Sequence, residues 1–242
     1  MGYMRLISES ERAVLYCKYP SNSRLSGFNL NVPVIFVCMS SIKNIIFDLG
    51  GVFMNLDYKR TEQAFIDLGV INFSELFTQH HSSPLFADME TGRITNEAFY
   101  EGLRELSGVN MPDVEIKRAW NAMLLDFPMD RIVWLGELKK RYNLYLFSNT
   151  NHVHYDAFIE TVKNQTGITD FNQYFIKAYY SHELGMRKPD IASFQKIIEE
   201  QKLNPAETLF IDDTLVNVEA AAKAGLQIVH LAPPMTVFDL DV

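Results

Sequence analysis

An aspartate closes a short apolar run, Ile45-Ile-Phe-Asp48, and is followed by Leu49, the pair Gly50-Gly51 and Val52. A run of β-prone residues bounded by glycines reads as a buried parallel strand that stops at its carboxyl end. In open α/β sheets ligands bind beyond those ends, so Asp48 stands where a nucleophile or a metal ligand would stand. Three further stretches lead into polar groups of the same kind. Leu144-Tyr-Leu-Phe147 runs into Ser148, Asn149 and Thr150, small groups that together with backbone amides can cradle anionic oxygens. Gly185-Met-Arg-Lys-Pro-Asp190 places Lys188 just before a helix start, and Leu209-Phe-Ile211 ends in Asp212 and Asp213, with Asn217 one helical turn further on. Adjacent carboxylates at a strand end are costly unless a cation or a lysine neutralises them. A small set of hard oxygen ligands suits Mg²⁺, which keeps several waters and binds substrate phosphate. Each signal alone is ordinary, since a strand-terminal Asp is often a helix cap and Ser-Asn-Thr is common turn chemistry. Their weight comes from their order on successive strand ends.

The elements that must position these groups follow from periodicity. Strands are expected at Ile42–Phe47, Leu144–Phe147, Phe175–Tyr180, Thr208–Ile211 and Leu226–His230. Helices are expected at Arg131–Arg141, His152–Asn164, Ile191–Gln201 and Leu215–Ala224, the last capped by Gly225. Such alternation implies βαβ units, hence a Rossmann-like α/β fold with a parallel sheet flanked by helices. Between Asp57 and Phe127 the alternation stops. Helical patterns at Thr61–Leu68, Phe73–His80, Asn96–Glu105 and Val114–Leu124 are separated by Thr91-Gly-Arg and by Gly108–Pro112. Roughly 70 mostly helical residues suffice for a small bundle, and their place after the first strand sets them over the edge that carries Asp48. The expected organisation is an α/β core of residues 39–57 and 128–242, with an inserted α-helical cap of residues 58–127. Residues 1–38 lack a sustained period, include the loop-like stretch Tyr19–Gly27, and are expected to be a non-core extension.

Composition narrows the function classes. The chain has 242 residues, 48% hydrophobic and 21% charged, with a net charge of −8, which argues against nucleic acid as a partner because phosphate backbones demand clustered Lys and Arg. An acidic protein can still bind a small anion at a locally positive site. Val32–Cys38 is too short to span a bilayer, no signal peptide is evident, and the cysteines, Cys17 and Cys38, cannot build a disulfide framework. A cytoplasmic location is expected, with a small-molecule phosphate ester as partner and no membrane association.

The four ordered segments, Asp48-Leu-Gly-Gly-Val52, Ser148-Asn-Thr150, Lys188-Pro189 and Ile211-Asp-Asp-Thr-Leu-Val-Asn217, resemble the motifs of the haloacid dehalogenase-like (HAD) hydrolase superfamily over residues 42 to 235. The forms Asp212-Asp-x-x-x-Asn217 and Ser148–Asn151 are similar to the branch holding sugar-1-phosphate phosphatases and the phosphatase domain of soluble epoxide hydrolase. The resemblance implies an Mg²⁺-dependent phosphatase acting on a small phosphorylated metabolite, a sugar phosphate in that branch, through an aspartyl-phosphate on Asp48. It assigns catalysis to Asp48, Ser148 and Lys188, with Ser148 and Lys188 also contacting substrate; Asn149, in the anion-cradling turn, and His154, at a helix start near the anion site, are further candidate substrate contacts. The metal falls to Asp48, the carbonyl of Gly50 and Asp213, with Asp212 as ligand or in support.

Position 50 departs from that pattern. Active phosphatases of this superfamily usually carry there a second Asp that protonates the leaving alcohol; glycine keeps the carbonyl but cannot transfer a proton. General acid–base catalysis is typically worth ~10²–10⁴-fold. Asp57, Glu90, His152 and His154 are candidate substitutes. A good leaving group would lessen the need for an acid, and Asp-x-Gly resembles a recurring form in the sugar-1-phosphate branch. Two rival readings remain: a catalytically silent ligand-binding protein, for which Gly50 speaks, and a 2-haloacid dehalogenase, against which Asp212-Asp213 counts because that chemistry needs no divalent cation.

Overall fold

The computed structural model describes residues 42–77 and 83–242, together with the backbone of three short strands nearer the amino terminus. Those strands, β1 (Ile7–Glu9), β2 (Arg12–Cys17) and β3 (Val34–Cys38), form a sheet of their own, with β2 antiparallel to β1 and parallel to β3.

The main sheet is built from β4 (Asn44–Phe47), β5 (Asn143–Ser148), β6 (Lys177–Tyr180), β7 (Thr208–Asp212) and β8 (Gln227–His230), all parallel, in the order β6-β5-β4-β7-β8. The chain winds from β4 outward through β5 to β6, then crosses back to β7 and β8 on the other side. The strand order therefore reverses at β4, which is where doubly wound sheets open a ligand crevice. Strand residues alternate between the two faces, and the core divides accordingly. Ile45, Phe47, Leu144, Leu146, Leu209 and Ile211 belong to one apolar cluster, Ile46, Tyr145, Phe147 and Phe210 to another. α6 (Met129–Leu138) and α7 (His152–Thr166) cover the first face; α9 (Ile191–Glu200) and α10 (Leu215–Lys223) cover the second. Burial on both faces explains why β4 reads as an unbroken apolar run.

Between β4 and β5 the chain forms α1 (Tyr58–Asp67), α2 (Phe73–Leu76), α3 (Pro84–Glu90), α4 (Asn96–Ser107) and α5 (Asp113–Asn121). These helices bury an apolar cluster of their own, centred on Phe65, Phe73, Phe86, Phe99 and Trp120. A buried hydroxyl ties two of them together: Thr61 Oγ1 donates to the Ala119 carbonyl and accepts from Met123 N–H, 3.0 Å in each case. The periodicity overlooks α3, whose start is marked by Ser83 and by Pro84 in the first turn. It also overlooks the short α8 (Ser181–Leu184). The pattern expected to run to His80 gives a helix that ends at Leu76, and residues 78–82 lie outside the described residues. Among the described residues no helix is long and apolar enough to cross a membrane.

Candidate active site

Asp48 follows β4 directly, its N–H donating to the Ile211 carbonyl at 2.9 Å, which holds it level with the end of β7. There Asp212 and Asp213 begin the turn into α10, and the oxygens of Asp48, Asp212 and Asp213 lie within 4.8 Å of one another. Lys188 reaches into this group from the loop between α8 and α9. Its Nζ donates to Asp48 Oδ1 and to Asp212 Oδ2, at 2.7 Å each, and it is 1% exposed. The rings of Phe147 and Phe210 flank the ammonium at 5.4 and 5.5 Å, so water is replaced by apolar walls and the bridge is charge-assisted in a dry setting.

Three carboxylates against one ammonium leave an excess of negative charge in a buried place. The titration behaviour records this strain. Burial first, then the charges of Asp212 and Asp213, push Asp48 up to about 7 against the pull of Lys188. Asp213 is raised by burial and by Asp212, although the Thr214 hydroxyl, donating at 3.0 Å, and Lys188 both favour its ionised form. Burial alone would lower Lys188, but Asp212 and Asp48 outweigh it and hold the ammonium above its ordinary range. A divalent cation with oxygen ligands relieves such a cluster, so the donor set fits Mg²⁺. Gly51 keeps the approach open: at its φ of +71°, a β-carbon would overlap the Asp213 carboxylate.

The carboxylates divide the work. Asp212 is fully buried and saturated, its oxygens accepting from Lys188, from Thr214 N–H at 2.8 Å and from Asn217 Nδ2 at 3.1 and 3.2 Å. It therefore anchors Lys188 and the start of α10 and has little left to offer a metal. Asn149, expected to contact substrate, instead clamps the lysine loop. Its Nδ2 donates to the Lys188 carbonyl at 2.8 Å and its Oδ1 accepts from Lys188 N–H at 2.9 Å. Ser181, which the sequence reading missed, ties the start of α8 to the turn after β5 by donating to the Thr150 carbonyl and accepting from Thr150 N–H. Ser148 lines the site at the end of β5.

A cavity of about 370 Å³ opens above Asp48, floored by the strand ends and roofed by Tyr58, Phe77, Glu90 and Met123 from the inserted helical region. His154 borders it, yet both ring nitrogens are engaged within the protein: Nε2 donates to the Trp120 carbonyl at 3.1 Å and Nδ1 faces Asn151 Nδ2 at 3.3 Å. The ring stacks on Trp120 at 4.6 Å. Burial drives it down to about 4, so it is a neutral packing group rather than a proton donor. Asp57 caps α1 by accepting from Lys59 N–H, and His152 lies exposed against the His182 ring. Of the candidate acids outside α7, Glu90 is the one the fold brings into the cavity. Its Oε2 is 2.9 Å from Arg187 Nε. Leu56 Cδ1 stands 2.5 Å from where a β-carbon on Gly50 would be, so a side chain at position 50 would have to move the end of Leu56.

A carboxylate bridged to a dry ammonium at the switch point of a doubly wound sheet marks an α/β enzyme. Over residues 42–225 the chain matches the model of the haloacid dehalogenase-like hydrolases, and it belongs to that family. It is 31% identical over 186 residues to a D-ribitol-5-phosphate phosphatase of Bacteroides thetaiotaomicron, covering 77% of this chain and 90% of that one. It is 28% identical to a sesquiterpene phosphatase of Aspergillus oryzae, over 79% of this chain and 91% of the relative. Among solved structures, a HAD family enzyme of Bacteroides thetaiotaomicron in complex with magnesium and inorganic phosphate superposes with a TM-score of 0.75 at 34% identity, covering 80% of this chain and 95% of that one. A HAD-like hydrolase of Porphyromonas gingivalis gives 0.71 at 30% identity, over 78% and 90%.

Proposed function

We propose that the chain is an Mg²⁺-dependent phosphomonoesterase that hydrolyses a small phosphorylated metabolite, a sugar phosphate, through an aspartyl-phosphate on Asp48. The observation that carries this reading is Lys188, buried between Asp48 and Asp212 at 2.7 Å from each. The phosphatase relatives and the neighbour's complex with magnesium and inorganic phosphate support it.

Asp48 would attack phosphorus as the leaving oxygen departs and takes a proton from solvent water, and a further water would then hydrolyse the acyl phosphate. Lys188 would hold the attacking oxygen in place and offset the charge that two anions bring together, while Ser148 would hydrogen-bond the transferring group. Asp48, Asp213 and the Gly50 carbonyl would hold Mg²⁺, which supplies a Lewis acid for the phosphoryl oxygens. Asn149 and Asp212 would act through Lys188, one on its backbone and the other on its ammonium. Residues 42 onward carry every group in this scheme, in keeping with 1–38 as an extension to an α/β core and the helices of 58–127 as a cap. The silent-binder reading rests on Gly50 and on Leu56 beside it.

Hydrolysis of a panel of sugar, sugar-alcohol and aryl phosphates, with and without Mg²⁺, tests the proposal. Asp48→Asn should lower turnover on the order of 10⁴-fold or more, as loss of a nucleophile does. Metal-independent turnover, or turnover that survives Asp48→Asn, would overturn it. Saturable binding without hydrolysis would favour the silent protein.

A further inference from the structure

Resting on the phosphatase reading, we infer that Glu90, held by Arg187 in the roof of the cavity, is the specificity residue that selects substrates bearing hydroxyl groups beyond the phosphate.

Three observations converge on it. Glu90 is the last residue of α3 in the roof, whereas Arg187 directly precedes Lys188, so the pair spans the cavity from the helical insertion to the lysine loop. Both residues line the cavity that holds Asp48, and the Glu90 side chain is only 11% exposed. The inserted region lines the same cavity with the Tyr58 phenol and with the apolar side chains of Phe77 and Met123. A buried carboxylate is expensive to desolvate, and an ion pair in such a place seldom adds net stability over apolar packing. A ligand whose hydroxyls donate to the carboxylate compensates that cost, and an alkyl chain does not. Sites built to hydrogen-bond a substrate hydroxyl reject the analogue lacking it, because their polar groups are left unpaired. Burial raises Glu90 against the opposing pull of Arg187, and the guanidinium at 2.9 Å fixes the carboxyl group in the roof, where its oxygens can accept hydrogen bonds. The substrate class is therefore a short polyhydroxylated alkyl phosphate, with its phosphate at Asp48 and its hydroxyls under α3.

The test compares a pentitol phosphate with n-pentyl phosphate, which have similar chain length, as substrates of the full chain with Mg²⁺. The readout is the ratio of their kcat/KM values. Wild type should favour the pentitol ester by about 10–10²-fold, as expected for hydroxyl recognition in a buried site. Glu90→Leu should bring the ratio close to one, chiefly through KM for the pentitol ester, and Glu90→Gln, which keeps an acceptor oxygen, should fall between. A wild-type ratio of one, or a ratio that Glu90→Leu leaves untouched, would overturn the inference. An equal loss of kcat on both esters would overturn it too, since Glu90 would then serve the reaction and not the choice of substrate. Absence of Mg²⁺-dependent turnover of every ester by wild type would strike the phosphatase reading itself. Thermal melting of both variants identifies any that fail to fold, and Glu90→Gln, nearly isosteric, then carries the comparison.

Discussion

At the scale of single residues, Gly50 and its neighbour Leu56 decide how the leaving group is handled. The backbone at Gly50 is compatible with a side chain, since its φ lies outside the left-handed region, but Leu56 Cδ1 occupies the space that a β-carbon would need. A side chain placed at position 50 therefore meets the end of Leu56 first. Gly50→Asp alone should gain little on alkyl phosphates, because the new carboxylate must displace Leu56. Combined with Leu56→Ala it should raise kcat for these poor leaving groups by up to about 10²-fold, the lower end of what proton transfer contributes. Aryl phosphates, whose leaving groups need less protonation, should gain much less from the same pair. Steady-state rates across a series of leaving-group pKa values check this, and an equal gain on all esters would show that position 50 acts by shape. Asp48 and the Asp212-Asp213 pair were legible in the sequence, because strand-end residues declare themselves by the apolar run before them, whereas Lys188 was marked only by its place just before a helix start. The roles of Asn149 and His154 were not. An amide that clamps a backbone and a histidine that packs against Trp120 use the same residue types as substrate ligands do, and the distinction lies in partners that are remote in sequence.

At the scale of elements, the strands could be read because burial on both faces imprints a continuous apolar pattern, and the helices because one face of each is apolar. The helix α3 was missed since it is short, with too few turns to establish a period, and its aromatic residue joins a cluster gathered from other helices. That helix is consequential: it carries Glu90 and leads into Gly92, which makes one of the close contacts between the inserted helices and the sheet domain. Gly92 has φ +66°, and a β-carbon there would overlap the carbonyl of His182 in α8. Alanine thus adds both backbone strain and a clash with main chain that cannot rotate away. Gly92→Ala should cost about 1–3 kcal/mol and loosen the junction of α3 and α8 ahead of the sheet core. Hydrogen exchange would register this as lost protection in residues 84–93 and 181–187 while β4 and β7 keep theirs. Unchanged protection along α3, or uniform loss throughout the chain, would show that the contact does not govern this junction.

At the scale of the whole molecule, the same interface ties stability to pH through histidine. His154 rises from α7 of the sheet domain and lies flat on Trp120 of α5, donating to its carbonyl. Burial lowers it from 6.5 to about 4; folding therefore holds it neutral in a range where the unfolded chain would be protonated. The sign follows from linkage. A histidine depressed by folding contributes its full stability above pH about 6.5, and that contribution is lost as pH falls through the folded value near 4. A depression of that size corresponds to about 3 kcal/mol. Asp48 works in the opposite sense, since a carboxyl raised from 3.8 to about 7 binds its proton more tightly in the folded state and loses stability as pH rises through that window. A single pH–stability curve mixes the two contributions. The difference between wild type and His154→Phe, which keeps an aromatic ring against Trp120 but cannot titrate, separates them. Denaturant unfolding in the absence of Mg²⁺ at pH values from 4 to 8 should give a difference that is constant above pH about 6.5. Below that point wild type should lose stability relative to the variant, by about 3 kcal/mol in total at pH 4. Trp120 fluorescence should report the change early, because the protonated imidazole must leave the ring on which it stacks. A flat difference across the whole range would mean that His154 titrates in the folded protein as it does in the unfolded chain, and that the junction between the inserted helices and the sheet is held by apolar packing alone.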